Sequence, residues 1–301
     1  MSIQANKRTK KVNKQIKINI KRRTVIVDDK LVYHQGIPIP SWIELSLIDV
    51  CNRKCVFCPK SDPSVAPDTH QKMNMRLIEK LTKELKEIDY KGSVVLCGYG
   101  EPMLHKDIYQ ISMKLAEAAF VEIVTNGDPL SKEKIKKLYD SNVNKILISL
   151  YDGPKQIKKF TDMANAAQVP EDFVIQRHRW LSEKEDFGLK LTNRTGTINV
   201  GKQDNVNTFS YCYYPSYSVL IDWNGDIFLC SQDWQRRRTM GNIMLENFFD
   251  IWKDSTITKY RKNLLEGKRC NSPCTECNAE GTVLGSKHAK AWRKIYKIND
   301  K

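Results

Sequence analysis

Nine cysteines carry the clearest chemical signal in this chain. Three lie close together in the first fifth of the sequence, one stands alone, and five lie in the last third. They are Cys51, Cys55, Cys58, Cys97, Cys212, Cys230, Cys270, Cys274 and Cys277. Disulfides are rare in a reducing cytosol, so clustered cysteines indicate metal or redox chemistry there.

The first group, Cys51, Cys55 and Cys58, places three thiols within eight residues, directly after a predicted strand. A structural zinc site normally takes four ligands. A 4Fe–4S cluster held by three cysteines leaves one iron free to bind a substrate or a cofactor. The spacing therefore favours a cluster with an open iron, and a zinc knuckle is the alternative.

This loop resembles the cluster motif of the radical S-adenosylmethionine (SAM) superfamily, C-x3-C-x2-C, including the aromatic Phe57 before the last cysteine. A second segment, CGYGEP at 97–102, resembles the GGEP segment of that superfamily, with Tyr99 where a glycine often stands. The resemblance implies that Gly100 and Glu101 hold the amino group of SAM.

Three later strand ends resemble SAM-contacting positions of the same superfamily. Asn126 belongs to a TNG segment after the third strand, and Ser149 lies at the end of the fourth. Arg177 follows the fifth strand, where a side chain often meets the carboxylate or ribose of SAM. Cys97 is interpreted as a small buried hydrophobic residue.

The later cysteines resemble the SPASM/Twitch extension of radical SAM enzymes over about residues 212–280. The shared features are C-x12-G-x4-C on a hairpin, a GNI segment, an Ile-Trp pair on a helix, and a final C-x2-C. Two auxiliary clusters would need more cysteines than the five present, so the resemblance implies one auxiliary 4Fe–4S cluster. Its expected ligands are Cys212, Cys230, Cys274 and Cys277, with Cys270 in reserve. A zinc ribbon is the alternative for four such cysteines.

Apolar periodicity predicts strands that alternate with helices between residues 41 and 180. The predicted strands are 41–50, 93–97, 121–125, 145–150 and 173–176, and the predicted helices are 73–88, 104–119, 131–139 and 154–165. This order favours parallel pairing. We predict an α/β fold, a partial (β/α)6 TIM-like barrel with a small C-terminal hairpin-plus-helix module of the Twitch/SPASM type.

The C-terminal module is predicted from a turn signal. Residues 217–223 and 226–230 flank an Asn-Gly pair, which is typical of a two-residue hairpin, and a helix follows from Glu246. We expect a basic arm and lead-in at 1–40, the barrel at 41–205, and the auxiliary domain with an end helix at 206–301. That end helix, 287–301, is expected to pack against the rest of the protein.

Composition narrows the classes of protein. The chain has 301 residues, of which 41% are hydrophobic, so wholesale disorder is excluded. No apolar run has the length of a transmembrane helix, and no apolar segment of a signal peptide follows the basic N-terminus. We therefore expect a cytoplasmic protein with no membrane partner.

The formal net charge is +15, and residues 1–23 contribute nine basic side chains and no acidic one. We interpret this arm as a solvated, partly disordered tail. Contact with nucleic acid or an acidic partner is the alternative.

The resemblance implies a radical SAM enzyme, oxidoreductase-like, that cleaves SAM reductively to a 5′-deoxyadenosyl radical and removes hydrogen from its substrate. The implied cofactors are a SAM-binding 4Fe–4S cluster, one auxiliary 4Fe–4S cluster and SAM, with flavodoxin or ferredoxin as electron donor. An auxiliary cluster that accepts an electron makes the net reaction an oxidation. No catalytic acid or base can be named, and His178 is the histidine best placed towards a barrel mouth.

The favoured substrate is a small hydroxylated or sugar-like molecule, because a single auxiliary cluster resembles the arrangement in small aminocyclitol dehydrogenases. The alternative is a peptide- or protein-modifying maturase. An RNA-modifying enzyme and a non-catalytic zinc-binding protein are less favoured, since no RNA-binding appendage is recognisable.

Overall fold

The computed structural model describes residues 14–201 and 203–299. Its helices and strands, in chain order, are α1 Lys14–Asp28, β1 Tyr33–His34, β2 Ile37–Pro38, β3 Trp42–Ser46, α2 Met75–Glu87, β4 Ser93–Cys97, α3 Ile108–Ala116, β5 Phe120–Thr125, α4 Lys132–Asp140, β6 Lys145–Leu150, α5 Lys155–Ala166, β7 Val174–His178, α6 Tyr214–Tyr217, β8 Ser218–Ile221, β9 Asp226–Phe228, β10 Thr239–Asn242, α7 Phe248–Lys253, α8 Ser255–Leu265 and α9 Ser286–Tyr296. Within these residues, no helix has the length and apolar character needed to cross a bilayer.

One eight-stranded sheet, in the order β10-β9-β8-β3-β4-β5-β6-β7, organises the fold. Strands β3 to β7 are parallel and lie side by side in chain order, connected by α2, α3, α4 and α5. Strand β8 is also parallel and pairs with β3. The predicted α/β partial barrel is confirmed, and its sixth parallel strand lies beside the first strand rather than beyond the fifth.

The predicted hairpin is confirmed as β8 and β9, which pair antiparallel with Leu220 opposite Phe228. It differs from the expected small module because β8 extends the main sheet, with Ser218 opposite Trp42 of β3. An uncovered β3 would present a row of unpaired N–H and C=O groups at a sheet edge. The C-terminal segment therefore shares the core of the barrel instead of relying on a core of its own.

Helices cover the outer face of the sheet. Asn74 begins α2 by accepting a hydrogen bond from the backbone N–H of Leu77 at 3.0 Å, as a helix N-cap does. Leu77, Leu81 and Leu85 recur at helical spacing and are fully buried against outward-facing strand residues such as Ile43. This apolar packing fixes the strands, and so it fixes the loops that follow their carboxyl ends.

The inner face of the same strands is polar. Because side chains alternate along a strand, burial of Ile43 and Leu45 on the outer side directs Glu44 to the inner side, where it lines a cavity. Arg177 of β7 lines the same cavity. A sheet face with charged residues on its inner side indicates a ligand site rather than a second apolar layer.

Helix α1 corrects the expectation of a solvated arm for residues 14–23. Arg22 of α1 forms an ion pair with Glu122 at 2.7 Å, and the Glu122 side chain is 1% exposed. The Arg23 guanidinium lies 4.6 Å from the centre of the Trp42 ring. The expectation was wrong here because a run of charges does not reveal a buried partner about a hundred residues away. The four earlier basic residues lie outside the described residues: Lys7, Arg8, Lys10 and Lys11.

The predicted packing of the end helix is confirmed by α9. Trp292 is 1% exposed, and its ring stacks on Tyr296 with 5.2 Å between centroids. The buried guanidinium of Arg261 lies between Trp252 and Trp292, 4.3 Å and 3.8 Å from the two ring centres. These contacts anchor the C-terminal helices to each other.

Candidate active site

The loop after β3 holds Cys51, Cys55 and Cys58 close together and partly buried. The backbone N–H of Cys58 donates to the carbonyl of Cys55 at 2.9 Å. Burial, together with the neighbouring thiols of Cys58 and Cys51, raises the pKa of Cys55 to about 12. Iron binds thiolates, so we expect protons to be released when a cluster assembles on this loop.

Arg53 ties the cysteine loop to the ends of two strands. Its Nε lies 2.6 Å from Asp128 after β5, and its Nη2 lies 2.6 Å from Asp152 after β6. The Arg53 guanidinium lowers the pKa of Asp152. The three thiols are therefore held at the carboxyl ends of the parallel strands, where ligands of open α/β sheets bind.

Gly100 allows the end of β4 to approach this loop. A Cβ atom at position 100 would lie 2.2 Å from the carbonyl oxygen of Ile48 and 2.7 Å from that of Val50. Both partners are backbone atoms, so a larger residue does not fit. The requirement for glycine at this position agrees with the GGEP resemblance.

Glu101 is buried and bridges two strand ends. Its carboxylate accepts hydrogen bonds from Thr125 Oγ1 at 2.6 Å and from the Asn126 backbone N–H at 2.8 Å. Burial raises the pKa of Glu101 to about 7, although these hydrogen bonds act in the opposite direction. The Glu101 carboxyl therefore gains or loses its proton near neutral pH.

Asn126 and Phe57 both lie against the cysteine loop. The side-chain amide of Asn126 donates to Asn52 Oδ1 at 2.7 Å, and its nitrogen lies 4.0 Å from Cys51 Sγ. The ring of Phe57 stacks on Tyr151 with 6.0 Å between centroids. The predicted positions of Asn126 and Phe57 therefore share one site with the thiols.

Ser149 and Arg177 are hydrogen-bonded to each other, from Arg177 Nη2 to Ser149 Oγ at 2.8 Å. Burial and the nearby Arg179 lower the pKa of Arg177 to about 9. Tyr151 lies between this pair and Cys55, and burial together with that thiol raises the pKa of Tyr151 to about 12. The cysteine loop is thus continuous with the polar inner face of the barrel.

A cavity of about 340 Å³ occupies that inner face, between α1, β7, the loop at 188–194 and the C-terminal segment. Its size lies in the range of small-molecule pockets. Residues that line it include Glu44, Cys97, Arg177, Arg179, Arg194 and Gln232. Cys97 is partly exposed to this cavity, which corrects its interpretation as a small buried hydrophobic residue.

His178 does not line the cavity in the described structure. Its ring stacks on Trp180 at 4.4 Å between centroids, whereas Arg177 and Arg179 on either side of it face inward. Alternation along β7 turns His178 to the face opposite Arg177 and Arg179, and its place towards the barrel mouth stays a prediction.

The four predicted auxiliary ligands surround one second cavity. Its lining includes Cys212, Cys230, Cys274 and Cys277. Gly281 packs so closely on Cys212 that a Cβ atom would lie 2.4 Å from its Sγ. Thiolate donors around one enclosed, largely apolar space fit an iron–sulfur cluster, and the ligand set stays a prediction.

Cys270 lies outside this second cavity and is exposed. Its Sγ accepts hydrogen bonds from Asn263 at 3.3 Å and Asn271 at 3.4 Å. Arg269 instead reaches inward and donates to the carbonyls of Cys277 at 2.9 Å and Ala279 at 2.7 Å. Arg269 and Cys270 thus face opposite directions, and Cys270 lies apart from the four cysteines that line the second cavity.

Among residues 14–201 and 203–299, no three Cys, His, Asp or Glu side chains converge as ligands of one metal ion would. A zinc site draws its sulfurs to about 2.3 Å from a single point. A four-iron cluster instead binds each cysteine through a different iron, so its thiols stand farther apart.

A sequence model of the Radical SAM superfamily matches residues 45–184, and a model described as an iron–sulfur cluster-binding domain, SPASM, matches residues 212–278. The S-adenosyl-L-methionine-dependent 2-deoxy-scyllo-inosamine dehydrogenase of Niallia circulans is 30% identical over 244 residues, 79% of this chain and 92% of that protein. This chain belongs to the radical SAM superfamily. It is an oxidoreductase-like enzyme that uses SAM, a SAM-binding 4Fe–4S cluster and an auxiliary iron–sulfur cluster.

Other relatives of this radical SAM enzyme differ in activity. A GTP 3′,8-cyclase of Limosilactobacillus fermentum is 30% identical over 263 residues, 84% of this chain and 72% of that protein. The crystal structure of BtrN in complex with AdoMet and 2-DOIA superposes with a TM-score of 0.68 at 26% identity, covering 83% of this chain and 97% of that one. Streptococcus suis SuiB, bound to its precursor peptide SuiA, has a TM-score of 0.56 at 17% identity, covering 80% and 70% of the two chains, and shares the fold.

Several residues of the site of this radical SAM enzyme were not predicted from the sequence. Tyr151 and Arg179 each lie two positions beyond a predicted site residue, so strand alternation was an available signal for both. Arg194 lines the cavity from the loop at 188–194. Arg22 and Arg23 line it from α1, and no local pattern indicated their position.

Proposed function

We propose that this enzyme removes hydrogen from a small hydroxylated, sugar-like molecule and completes a net oxidation. The observation that carries this proposal is the 30% identity across 92% of a 2-deoxy-scyllo-inosamine dehydrogenase. The main cavity of about 340 Å³ supports it, because that volume suits a compact polar molecule. A peptide maturase shares the fold, but no contact in the described structure favours a peptide.

Cys51, Cys55 and Cys58 are the proposed ligands of the SAM-binding cluster. When bound there, the cluster and SAM supply a 5′-deoxyadenosyl radical, which is the hydrogen-abstracting species. Gly100 and Glu101 support the loop and are proposed to receive the amino group of SAM. The Glu101 carboxylate accepts three hydrogen bonds from the protein and has about four lone pairs, so one is left for the SAM amine.

Phe57, Asn126, Ser149 and Arg177 are proposed to surround SAM. Asn126 lies nearest the thiols, 4.0 Å from Cys51 Sγ. Arg177 is a cation that can pair with the SAM carboxylate, and its hydrogen bond to Ser149 orients it. Of these four residues, Arg177 also lines the main cavity, which helix α1 and the loop at 188–194 border.

Cys212, Cys230, Cys274 and Cys277 are the proposed ligands of the auxiliary cluster. Four cysteine ligands leave no iron free for substrate, so this cluster is suited to electron transfer. Gln232 and Ala279 line both its cavity and the main cavity. An electron released by the substrate would therefore cross about one layer of side chains, which supports a net oxidation.

Three further assignments complete the proposal. Flavodoxin or ferredoxin supplies the electron that starts the reaction. The cytoplasm is the proposed location, since reduced thiols are required for cluster assembly. The chain is divided into a lead-in at 1–40, a barrel domain at 41–205 and an auxiliary domain at 206–301.

Anaerobic reconstitution with iron and sulfide tests the proposal. With SAM and dithionite, the protein is expected to form 5′-deoxyadenosine, and a panel of cyclitols and sugars is expected to contain a member that is oxidised in step with that product. The Cys58→Ser variant should form less than about a hundredth as much product, since its cluster lacks a ligand, whereas Cys270→Ser should match the wild type. Peptide oxidation without oxidation of any small molecule would contradict the substrate class.

A further inference from the structure

The main cavity contains more cationic than anionic side chains. Six basic residues line it, against two acidic ones, Glu44 and Glu280. The basic residues are Arg22, Arg23, Arg177, Arg179, Lys190 and Arg194. Burying a cation without a counterion costs free energy. The partner of each cation therefore shows whether the protein itself balances the excess of positive charge.

Three of the six cations have an acidic neighbour within the protein. Arg22 pairs with Glu122 at 2.7 Å, and Lys190 pairs with Glu280. Glu44 lies near enough to Arg23 to favour its charged form. Glu280 of the lining is therefore already paired with a protein cation, whereas Glu44 accepts a hydrogen bond from Trp42 Nε1 at 3.0 Å and forms no ion pair among the described residues.

Arg177, Arg179 and Arg194 take part in no ion pair within residues 14–201 and 203–299. Arg177 bonds to the Ser149 hydroxyl and Arg179 to backbone carbonyls. The Nε atom of Arg177 is buried and has no hydrogen-bond partner. Neutral acceptors satisfy part of the hydrogen-bonding capacity of these groups but leave their charge uncompensated.

The side chains of Arg177 and Arg179 also lie close to each other. They lie two positions apart at the end of β7, so their side chains share the inner face. Burial and repulsion by Arg179 lower the pKa of Arg177 to about 9, and burial lowers that of Arg179 to about 10. An oxyanion between them would relieve both costs, since guanidinium groups bind carboxylate and phosphate with paired hydrogen bonds.

SAM alone does not balance this charge. It brings one carboxylate, for which Arg177 is the proposed partner, and it also brings a positively charged sulfonium. Arg179 then remains without an anion.

We propose that the substrate carries an anionic oxygen group, a phosphate or a carboxylate, which Arg179 binds with help from Arg194. This inference rests on the proposed function and adds a charge requirement to it. The excess of cationic over anionic side chains in the same cavity disfavours an amine-bearing substrate. Specificity in this enzyme would therefore depend on β7 and the loop after it.

The proposal is tested by isothermal titration calorimetry, in which candidate ligands are titrated into the reconstituted holoenzyme that already contains SAM. The ligands are glucose 6-phosphate and glucuronate, which separate phosphate from carboxylate, with glucose and glucosamine as neutral and cationic counterparts, and GTP as a nucleotide. At least one anion is expected to bind tenfold or more tightly than both glucose and glucosamine. Equal binding, tighter binding of glucosamine, or no binding of any anion would overturn the inference.

Two variants locate the anion site. Arg179→Gln is expected to weaken binding of the preferred anion at least tenfold, and Arg194→Gln serves as a second variant in case Arg179→Gln does not fold. Arg76→Gln removes the same charge from the exposed surface of α2 and should bind like the wild type. Unchanged anion affinity in both folded cavity variants would refute the assignment.

The two proposals fail in different ways. Formation of 5′-deoxyadenosine from SAM and dithionite needs no anion, so its absence counts against the proposed function and not against the charge requirement. Tight binding of GTP alone would support the anionic requirement while contradicting the sugar-like substrate.

Discussion

At position 99 the chain has a tyrosine where the GGEP segment often has a glycine, and its side chain belongs to a buried cluster with Phe228 and Trp234 against which Cys58 also packs. Tyr99 is 2% exposed, and its hydroxyl donates to the carbonyl of Asp233 at 2.8 Å. Its ring packs against Trp234 with 4.8 Å between centroids. The tyrosine thus connects the barrel to the C-terminal segment, while Gly100 keeps the close approach that the loop requires.

Substitution at Tyr99 should affect stability and not SAM cleavage. Tyr99→Phe removes one buried hydrogen bond and should lower the free energy of unfolding by about 1 kcal/mol. Tyr99→Ala removes the ring and should lower it by about 4 kcal/mol. Urea titration measures both, and the rate of 5′-deoxyadenosine formation per bound iron should stay within about twofold. A stable Tyr99→Phe protein that no longer cleaves SAM would contradict this separation.

His288 of α9 is buried, and neither ring nitrogen has a hydrogen-bond partner in the described structure. Burial lowers its pKa to about 4, and Lys287 contributes. The folded state therefore resists protonation that the unfolded chain accepts below its ordinary pKa of about 6.5. The stability contribution of a neutral His288 is complete above pH 6.5 and is lost as the pH falls towards 4.

His288→Leu should remove this pH dependence. Relative to its own value at pH 7.5, the wild type should lose about 2 kcal/mol more than the variant at pH 5. Urea titrations at the two pH values measure the difference. His70→Asn, at an exposed position with positive φ that asparagine tolerates, is the control and should follow the wild type. Parallel curves for wild type and His288→Leu would show that His288 does not titrate as inferred.

Among the elements, α1 is held by one ion pair and by contacts with the inner face of the sheet. Its buried residues are few, so packing alone does not position it. Arg22 neutralises Glu122, which is a carboxylate on the central strand β5. The pair thus anchors the helix that closes one side of the main cavity.

Arg22→Ala should lower the free energy of unfolding by about 3 kcal/mol, because it leaves the Glu122 carboxylate buried without a counterion. The double variant Arg22→Ala with Glu122→Leu should recover most of that loss, since the buried charge is gone as well. Lys21→Ala, on the exposed side of α1, should change stability by less than about 0.5 kcal/mol. Additive losses in the double variant would mean that the two side chains do not stabilise each other.

At the scale of the whole molecule, the main cavity and the cavity of the auxiliary cysteines share part of their lining. Strand β8 pairs with β3, so the segment that carries Cys230 continues directly from the barrel sheet. This connection places the auxiliary cysteines behind Gln232 and Ala279, at the edge of the main cavity. The proposed auxiliary cluster therefore lies next to the main cavity.

Loss of one auxiliary ligand should uncouple SAM cleavage from oxidation. Cys274→Ser should lower the iron content from about eight to about four per chain, since one of two four-iron clusters is lost. It should still form 5′-deoxyadenosine while oxidising substrate at less than a tenth of the wild-type rate. Cys270→Ser is the matched control and should retain full iron. A Cys270→Ser protein with four iron atoms would instead make Cys270 a ligand.

Local signals were enough to predict much of the fold. The bounds of β4 and β6 agree with the predicted strands at 93–97 and 145–150, because continuous apolar runs between polar turns are a local property. The spacing of Cys51, Cys55 and Cys58 indicated a cluster with an open iron for the same reason, because these three cysteines lie on one loop, whereas the later cysteines, spread over 212–277, were assigned by resemblance. Family membership follows from these spacings together with the strand order.

Contacts between residues that are far apart in the sequence determined the features that local signals did not predict. The position of α1 depends on Glu122, the extension of the sheet by β8 depends on the free edge of β3, and the side on which His178 lies depends on the burial of β7. The charge of the main cavity arises from arginines on α1, β7 and a loop that are far apart in sequence. Such contacts follow from packing and from the pairing of buried charges, and neither is visible in a short window of sequence.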